Sequence, residues 1–141
     1  RDSLMQEPSI SKVLEISRHA DVALVGIGSK GSTSSEMLID EFGLGKSERD
    51  SYFKNLAGDV AARFFNHQGK ILSSTIDSRI IGLSLDEIRK IPKVIGVASG
   101  ADKVQGVIGA ARSKLIDHLI IDLACANSIL KAVSTTESRI A

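Results

Sequence analysis

The sequence predicts an α/β fold, a mostly parallel sheet with flanking helices and one antiparallel hairpin, on three observations. Residues 21–28 (Asp-Val-Ala-Leu-Val-Gly-Ile-Gly), 94–98 and 118–123 are short, nearly unbroken apolar runs without period-2 alternation, the pattern of strands covered on both faces. Segments with helical spacing separate these runs at short connections, as in a layered β/α chain. Residues 59–75 depart from this: strand-like runs at 60–65 and 70–75, joined by Asn66-His67-Gln68-Gly69, a four-residue turn ending in glycine, predict the hairpin.

Taken in order, residues 1–8 read as a frayed lead-in, and Ser9 after Pro8 as the N-cap of a helix over 10–18 that buries Ile10, Val13, Leu14 and Ser17. After the strand at 21–28 comes a Ser/Gly/Thr loop over 29–35, a short helical turn at 36–40, and a Ser-x-x-Asp start at Ser47 for a helix through 56. Ser84-Leu85-Asp86-Glu87 is a capping box, and Pro92 ends the helix it begins. The central strand 94–98 then runs through Ser99-Gly100 into a helix carrying Val104, Val107, Ile108 and Ala111 at helical spacing, to about residue 113. A strand at 118–123 and a helix at 124–133 follow. Residues 134–141 read as a polar tail, or as a start capped for one more short helix. The body is thus a single domain over 9–133, which 141 residues suffice to give a continuous core.

Composition excludes several function classes. With 18 Lys plus Arg against 17 Asp plus Glu and no basic block, the chain itself has no footprint for nucleic-acid phosphates. No run has the apolar length of a membrane span, and the polar start at residues 1–6 is no signal peptide, so no membrane partner is expected. A single cysteine, Cys125, in an apolar helical pattern makes no internal disulfide and fits a reducing cytoplasm. Aromatics are 4% of residues, too few for a base-stacking platform.

Candidate site residues cluster after strands. The Ser99-Gly100 turn lets the backbone bend sharply, and the first amides of the following helix then face outward, a setting for phosphate or carboxylate. Lys103 sits in the first helical turn, where the macrodipole disfavours a cation by about 0.3–1 kcal/mol unless an anion is present. That points to a ligand; the plain alternative is a lysine that snorkels into water. Gly26-x-Gly28-x-x-Gly31 follows a strand but lacks both the helix at the third glycine and the acid ending a second strand, so a dinucleotide is the weaker reading. The better one is backbone at a strand's carboxyl end open to a small ligand, against a plain tight turn. Arg79 could grip a phosphate or carboxylate, with Asp77 accepting sugar hydroxyls, or the two form an inconsequential surface pair. Asp59, after Gly58, holds hydroxyls or merely ends a turn. His19, His67 and His118 lack metal-ligand spacing, and no Ser-His-acid arrangement has motif support, so no metal, cofactor or catalytic residue is expected.

Residues 21–28, 58–66 (Gly-Asp-Val-Ala-Ala-Arg-Phe-Phe-Asn), Arg79-Ile-Ile-Gly-Leu83, 91–100 (Ile-Pro-Lys-Val-Ile-Gly-Val-Ala-Ser-Gly) with Lys103, and Asp122 together resemble the effector-binding domain of the sorbitol-operon type bacterial transcriptional regulators. That family includes the central glycolytic gene regulator and the deoxyribonucleoside regulator. The resemblance spans about residues 9–130. It implies a fold related to sugar-phosphate isomerases and coenzyme A transferases, a phosphorylated sugar as effector, a DNA-binding helix-turn-helix elsewhere in the full protein, and a homo-oligomer. It carries over Gly26, Gly28, Asp59, Arg79, Gly100 and Lys103 as pocket positions, with Asp77 added by adjacency. Two departures stand out. Family members are about twice this length, so the chain reads as the carboxyl-terminal half of the effector domain, without the helix-turn-helix or the Gly-Gly-Thr type phosphate loop. The family's glycine pair before the ligand lysine is Ser99-Gly100 here. A missing half would leave apolar surface or a sheet edge exposed. Two alternatives remain: a sugar-phosphate isomerase or deaminase-like enzyme with Asp59 or Asp77 as general base, and an interaction module with no ligand.

Overall fold

Strand β1 (Ala23–Ser29) runs at the middle of the sheet because its core-side residues, Ala23, Val25 and Ile27, meet apolar neighbours from both flanks. In the computed structural model, which describes residues 1–31, 33–72 and 75–137, the other strands are β2 (Leu56–Val60), β3 (Arg63–Asn66), β4 (Val94–Ala98) and β5 (His118–Ile121). Their order is β3-β2-β1-β4-β5. β4 pairs parallel with β1, Gly26 opposite Val97, and β5 parallel with β4. β2 pairs antiparallel with β1, Gly28 opposite Asp59, and β3 antiparallel with β2. The sheet is therefore evenly mixed rather than mostly parallel. Two helices, α3 (Thr33–Glu41) and α4 (Lys46–Asn55), return the chain after β1 so that β2 enters beside it in the opposite direction.

The hairpin lies earlier than expected. The run at 60–65 is not one strand: Val60 pairs with Arg63 across a two-residue turn at Ala61-Ala62, both with positive φ (51° and 60°). A two-residue turn of this kind needs φ > 0 at both positions, and alanine gives no sequence signal for it. The Asn66–Gly69 turn does form, with Asn66 Oδ1 accepting the amides of Gln68 and Lys70 and Gly69 at φ 76°. Beyond it, among the described residues, only an isolated bridge, Phe65 to Ile71, continues the pairing. Of the strand expected over 70–75, Ser73 and Ser74 lie outside the described residues, and a short 3-10 turn (Asp77–Arg79) follows.

Several helix starts shift. The lead-in holds a short helix α1 (Asp2–Met5), and α2 (Pro8–Arg18) takes Glu7 as N-cap with Pro8 in its first turn, where a missing N–H costs nothing. Of the expected apolar face only Leu14 is buried, beside the start of β1, and Val13 is 61% exposed. The turn expected at 36–40 is the last half of α3, which follows the Lys30-Gly31 turn; Ser32 of the expected 29–35 loop lies outside the described residues. α4 starts from Gly45, not Ser47. The capping box of α5 (Leu85–Ile88) forms as read: Ser84 Oγ accepts the Glu87 amide at 3.2 Å and Glu87 Oε2 the Ser84 amide at 2.8 Å, worth about 1 kcal/mol. After β4 and a 3-10 turn (Ala101–Lys103) come α6 (Val104–Arg112) and α7 (Leu123–Glu137). α7 runs through the start of the expected tail, whose residues 138–141 lie outside the described residues.

The main core joins the sheet to α5 and α6 through Ile27, Phe65, Leu85, Val94 and Val107. A second core sits under α3 and α4, where Tyr52 packs edge-to-face on Phe64 at 5.7 Å. The opposite face of β1, β4 and β5 is open. Strand alternation puts Leu24, Gly26, Val97 and Ile120 on that face, and Leu24 is 71% and Ile120 57% exposed. β1 is thus covered on one face only over this stretch, against the expectation from its unbroken apolar run. Among the described residues no helix is long and apolar enough to cross a membrane.

Candidate functional site

Parallel neighbours β1 and β4 end side by side, and open α/β sheets hold ligands outside such carboxyl ends. Here the ends frame an open cleft of about 430 Å³ lined by Gly26, Gly28, Ser35, Asp59, Ser99 and Lys103, with apolar walls from Val97 and Leu38. Gly26 has nothing within 4 Å of where a Cβ would stand, so its backbone faces free space. Gly28 is the reverse: a Cβ there would overlap Asp59 Oδ1 and come 2.6 Å from Ser35 Oγ. The missing side chain lets the acid lie over the strand.

Asp59 reaches this place through the Gly28–Asp59 register of β1 and β2. Ser35 donates its hydroxyl to Asp59 Oδ1 at 2.6 Å. Burial pushes the carboxyl above its ordinary range, and the Ser35 hydroxyl, the Ala62 amide and the Lys103 charge offset part of that rise. Lys103 comes from the opposite rim. It occupies the N-cap position of α6, its side chain is 20% exposed, and its Nζ lies 3.6 Å from Asp102 Oδ2. Asp102 therefore relieves some of the tension between a cation and the helix N-terminus that the sequence suggested.

The turn before Lys103 is held from outside the cleft. Gly100 has φ 104°, a conformation side chains disfavour. Its amide donates to Asp122 Oδ2 at 2.8 Å, and Ser99 Oγ donates to the same oxygen at 2.6 Å, while Asp122 Oδ1 accepts the Cys125 amide at 2.7 Å. These bonds draw the Asp122 carboxyl below its ordinary range. The Gly100 amide is thus engaged by a carboxylate rather than presented outward, and the Gly106 amide is engaged by Ser29 Oγ at 3.1 Å. Lys103 is the positive charge this rim offers.

Asp77 and Arg79 stand elsewhere. Asp77 binds the buried Arg63, 3.3 Å from its Nη1, and Arg63 also donates to the carbonyls of Asp77, Gly82 and Leu83. Arg79 stacks over Phe42, 5.4 Å from the ring centroid, and donates to the Phe42 carbonyl. Sequence reading missed Ser35, which no pattern distinguishes within its Ser/Thr run. It also passed over Arg63, for which a cation inside the apolar run 60–65 was the available signal. His67 faces Gln105 and His19 faces Glu15; among the described residues no cluster of His, Cys, Asp or Glu is gathered to hold a metal.

With this geometry in hand, three comparisons bear on the chain. The family model described as "Putative sugar-binding domain" matches residues 1–131. Over 122 residues the chain is 34% identical to the deoxyribonucleoside regulator of Bacillus subtilis (strain 168), covering 86% of this chain and 38% of that protein. It is 27% identical over 131 residues to the sorbitol operon regulator of Klebsiella pneumoniae, covering 93% of this chain and 41% of that one. The crystal structure of the full-length sorbitol operon regulator from Klebsiella pneumoniae matches the fold with a TM-score of 0.80 at 26% identity, over 92% of this chain and 42% of that chain. The chain spans about two fifths of the length of these relatives.

Proposed function

The chain belongs to the sugar-binding domain family, and from that membership we propose that it is an effector-binding part of a bacterial transcriptional regulator, taking a phosphorylated sugar in the cleft between β1 and β4. One observation carries the choice of cleft: an acid that accepts hydroxyl donors, Asp59, and a cation, Lys103, line the same opening over glycine backbone. Asp59 holds sugar hydroxyls. Lys103 supplies the charge for phosphate, Gly26 and Gly28 admit the ligand to the strand backbone, and Gly100 sets the turn from which Lys103 projects. Asp77 and Arg79 serve the architecture around Arg63 and Phe42 instead.

In a protein of the relatives' length, the sugar bridges this part and a companion part that covers the open sheet face. DNA is bound by a helix-turn-helix outside these residues, in a cytoplasmic homo-oligomer. The sugar then shifts the arrangement of the DNA heads in proportion to its differential affinity for that arrangement. The fold's relation to sugar-phosphate isomerases and coenzyme A transferases belongs to the same proposal, and the chain acts without turnover. A second reading has one observation behind it: the raised carboxyl of Asp59 suits a general base in an isomerase or deaminase-like enzyme. Against it, among the described residues no second titratable group joins Asp59 in the cleft but Lys103, and the relatives are named as regulators.

The test is thermal unfolding of a protein of the relatives' length that carries this chain, with ribose 5-phosphate, deoxyribose 5-phosphate and sorbitol 6-phosphate, and with their unphosphorylated parents. A ligand at a hundredfold excess over Kd stabilises the fold by about 2.7 kcal/mol. The sensor reading expects at least one phosphorylated sugar to do so, and Lys103→Ala to remove the effect. No shift with any of them in that folded protein ends that reading, and turnover of a sugar phosphate favours the enzyme.

A further inference from the structure

Helix α6 starts without the residue type that usually starts one. Its N-cap position is Lys103, and no side chain at that position caps it. An ammonium has three donors and no acceptor, so it cannot receive an amide of the first turn. The acceptor comes instead from across the fold: Ser29 Oγ, at the end of β1, takes the Gly106 N–H at 3.1 Å, from 77 residues away. Ser29 is fully buried, though a serine hydroxyl ordinarily prefers water.

Glycine makes that reach possible. A Cβ on Gly106 would overlap the Gly28 carbonyl and stand 3.1 Å from Ser29 Cα, and a Cβ on Gly58 would overlap the same carbonyl and lie 2.7 Å from Gly106 Cα. β1, β2 and α6 meet backbone to backbone beside the cleft that Gly28 and Lys103 line. The strand end that floors the cleft is thereby tied to the helix that starts at its cation.

We propose that Ser29 is a positioning residue for anion recognition: capping α6 from the strand, it lets a lysine stand at the N-cap position and holds that lysine at the cleft. The inference rests on the reading of the cleft as a sugar-phosphate site. Ser29 touches no ligand in it; the hydroxyl acts through Gly106 and Lys103.

Calorimetric titration of a protein of the relatives' length that carries this chain, of its Ser29→Ala and Lys103→Ala variants and of the double variant tests this, with ribose 5-phosphate, deoxyribose 5-phosphate, sorbitol 6-phosphate and the parent sugars. The readout is the ratio of affinities for a phosphorylated sugar and its parent, which a general loss of stability does not move. Ser29→Ala is expected to lower that ratio by about tenfold, no further than Lys103→Ala does, and the double variant to fall no lower than Lys103→Ala alone, the signature of two residues acting through one contact. If Ser29→Ala does not fold, Ser29→Cys, with a weak sulfur acceptor in nearly the same volume, is expected to give an intermediate ratio. An unchanged ratio in the folded serine variant, with Lys103→Ala lowering it, overturns the positioning role and leaves the cleft reading standing. No binding by the unaltered protein, or a ratio indifferent to Lys103→Ala, overturns both.

Discussion

The cleft and the Arg63 junction contain the same kinds of groups, an aspartate and a cation, and use them in opposite ways. At the junction Arg63 is 7% exposed, and its guanidinium donates to three main-chain carbonyls and to the Asp77 carboxylate, so its charge is consumed by the fold. At the cleft, Lys103 pairs with the exposed Asp102, and Asp59 keeps a raised carboxyl facing an opening of ligand size. A pair saturated by backbone reads as a staple, and one that faces space with a perturbed acid reads as a site. Adjacency in sequence favoured Asp77 and Arg79 as a pair, but neighbours far along the chain decide which use a charge has.

The sharpest way to break that contrast is to remove each cation. Arg63→Ala removes the Arg63 donor from three half-buried carbonyls and from the Asp77 carboxylate, and is expected to cost about 3–5 kcal/mol in urea unfolding. Lys103→Ala is expected to cost under about 1 kcal/mol, since its one ion pair is to an exposed partner. Equal costs for the two would mean that Lys103 is a second staple and not a free binding group.

The carboxylates differ in the sign of their pH dependence. Asp59 titrates above its ordinary value in the folded chain, so the folded state binds its proton more tightly than the unfolded state does. Its contribution is intact below the ordinary value of 3.8 and declines as pH rises through the raised one. Asp59→Asn keeps an acceptor for the Ser35 hydroxyl and removes the charge. Urea unfolding of both proteins across the range from acid to neutral pH is therefore expected to show the variant gaining on the unaltered chain as pH rises. A stability difference that is flat with pH would show that Asp59 ionises as freely folded as unfolded.

Local chemistry was legible in the sequence, and long-range contact was not. β4 matched its apolar run, and the Ser84–Glu87 box formed, because both are written within a few consecutive residues. The Ala61-Ala62 turn was invisible, since nothing in two alanines announces positive φ; the flanking strands impose it. Asp59, Gly28 and Lys103 were each picked out singly, but their meeting depends on the β1–β2 register and on Ser35. The Ser29 cap of α6 crosses 77 residues, beyond any window in which periodicity or capping patterns operate. The open face of β1, β4 and β5 fits the expectation that a missing half leaves apolar surface exposed, and only the cover that the β1 run implies on both faces is absent. An unbroken apolar run says that a strand expects cover on both faces, not that the described residues supply it.

The smallest effect tests the opposite slope at Glu87, whose carboxyl is held down to about 2 from 4.5, first by the hydrogen bond from Arg18 and then by the Ser84 amide. A lowered carboxyl gives stability that is full above its ordinary value and lost as pH falls from about 4.5 toward 2. The Arg18–Glu87 pair, at 2.7 Å, is about one-third exposed on each side, so solvent screening limits it to under about 1 kcal/mol. Glu87→Gln retains an oxygen for the Ser84 amide and so isolates the charge from the capping box. The variant is expected to be less stable than the unaltered chain at pH 7 by a few tenths to about 1 kcal/mol, and to close on it as pH falls toward 2. Combining it with Arg18→Ala should add little, because both remove one interaction. A loss in Glu87→Gln that does not shrink between pH 7 and pH 2 would instead assign the effect to the cap, and the contrast with Asp59 would then rest on hydrogen bonding rather than on charge.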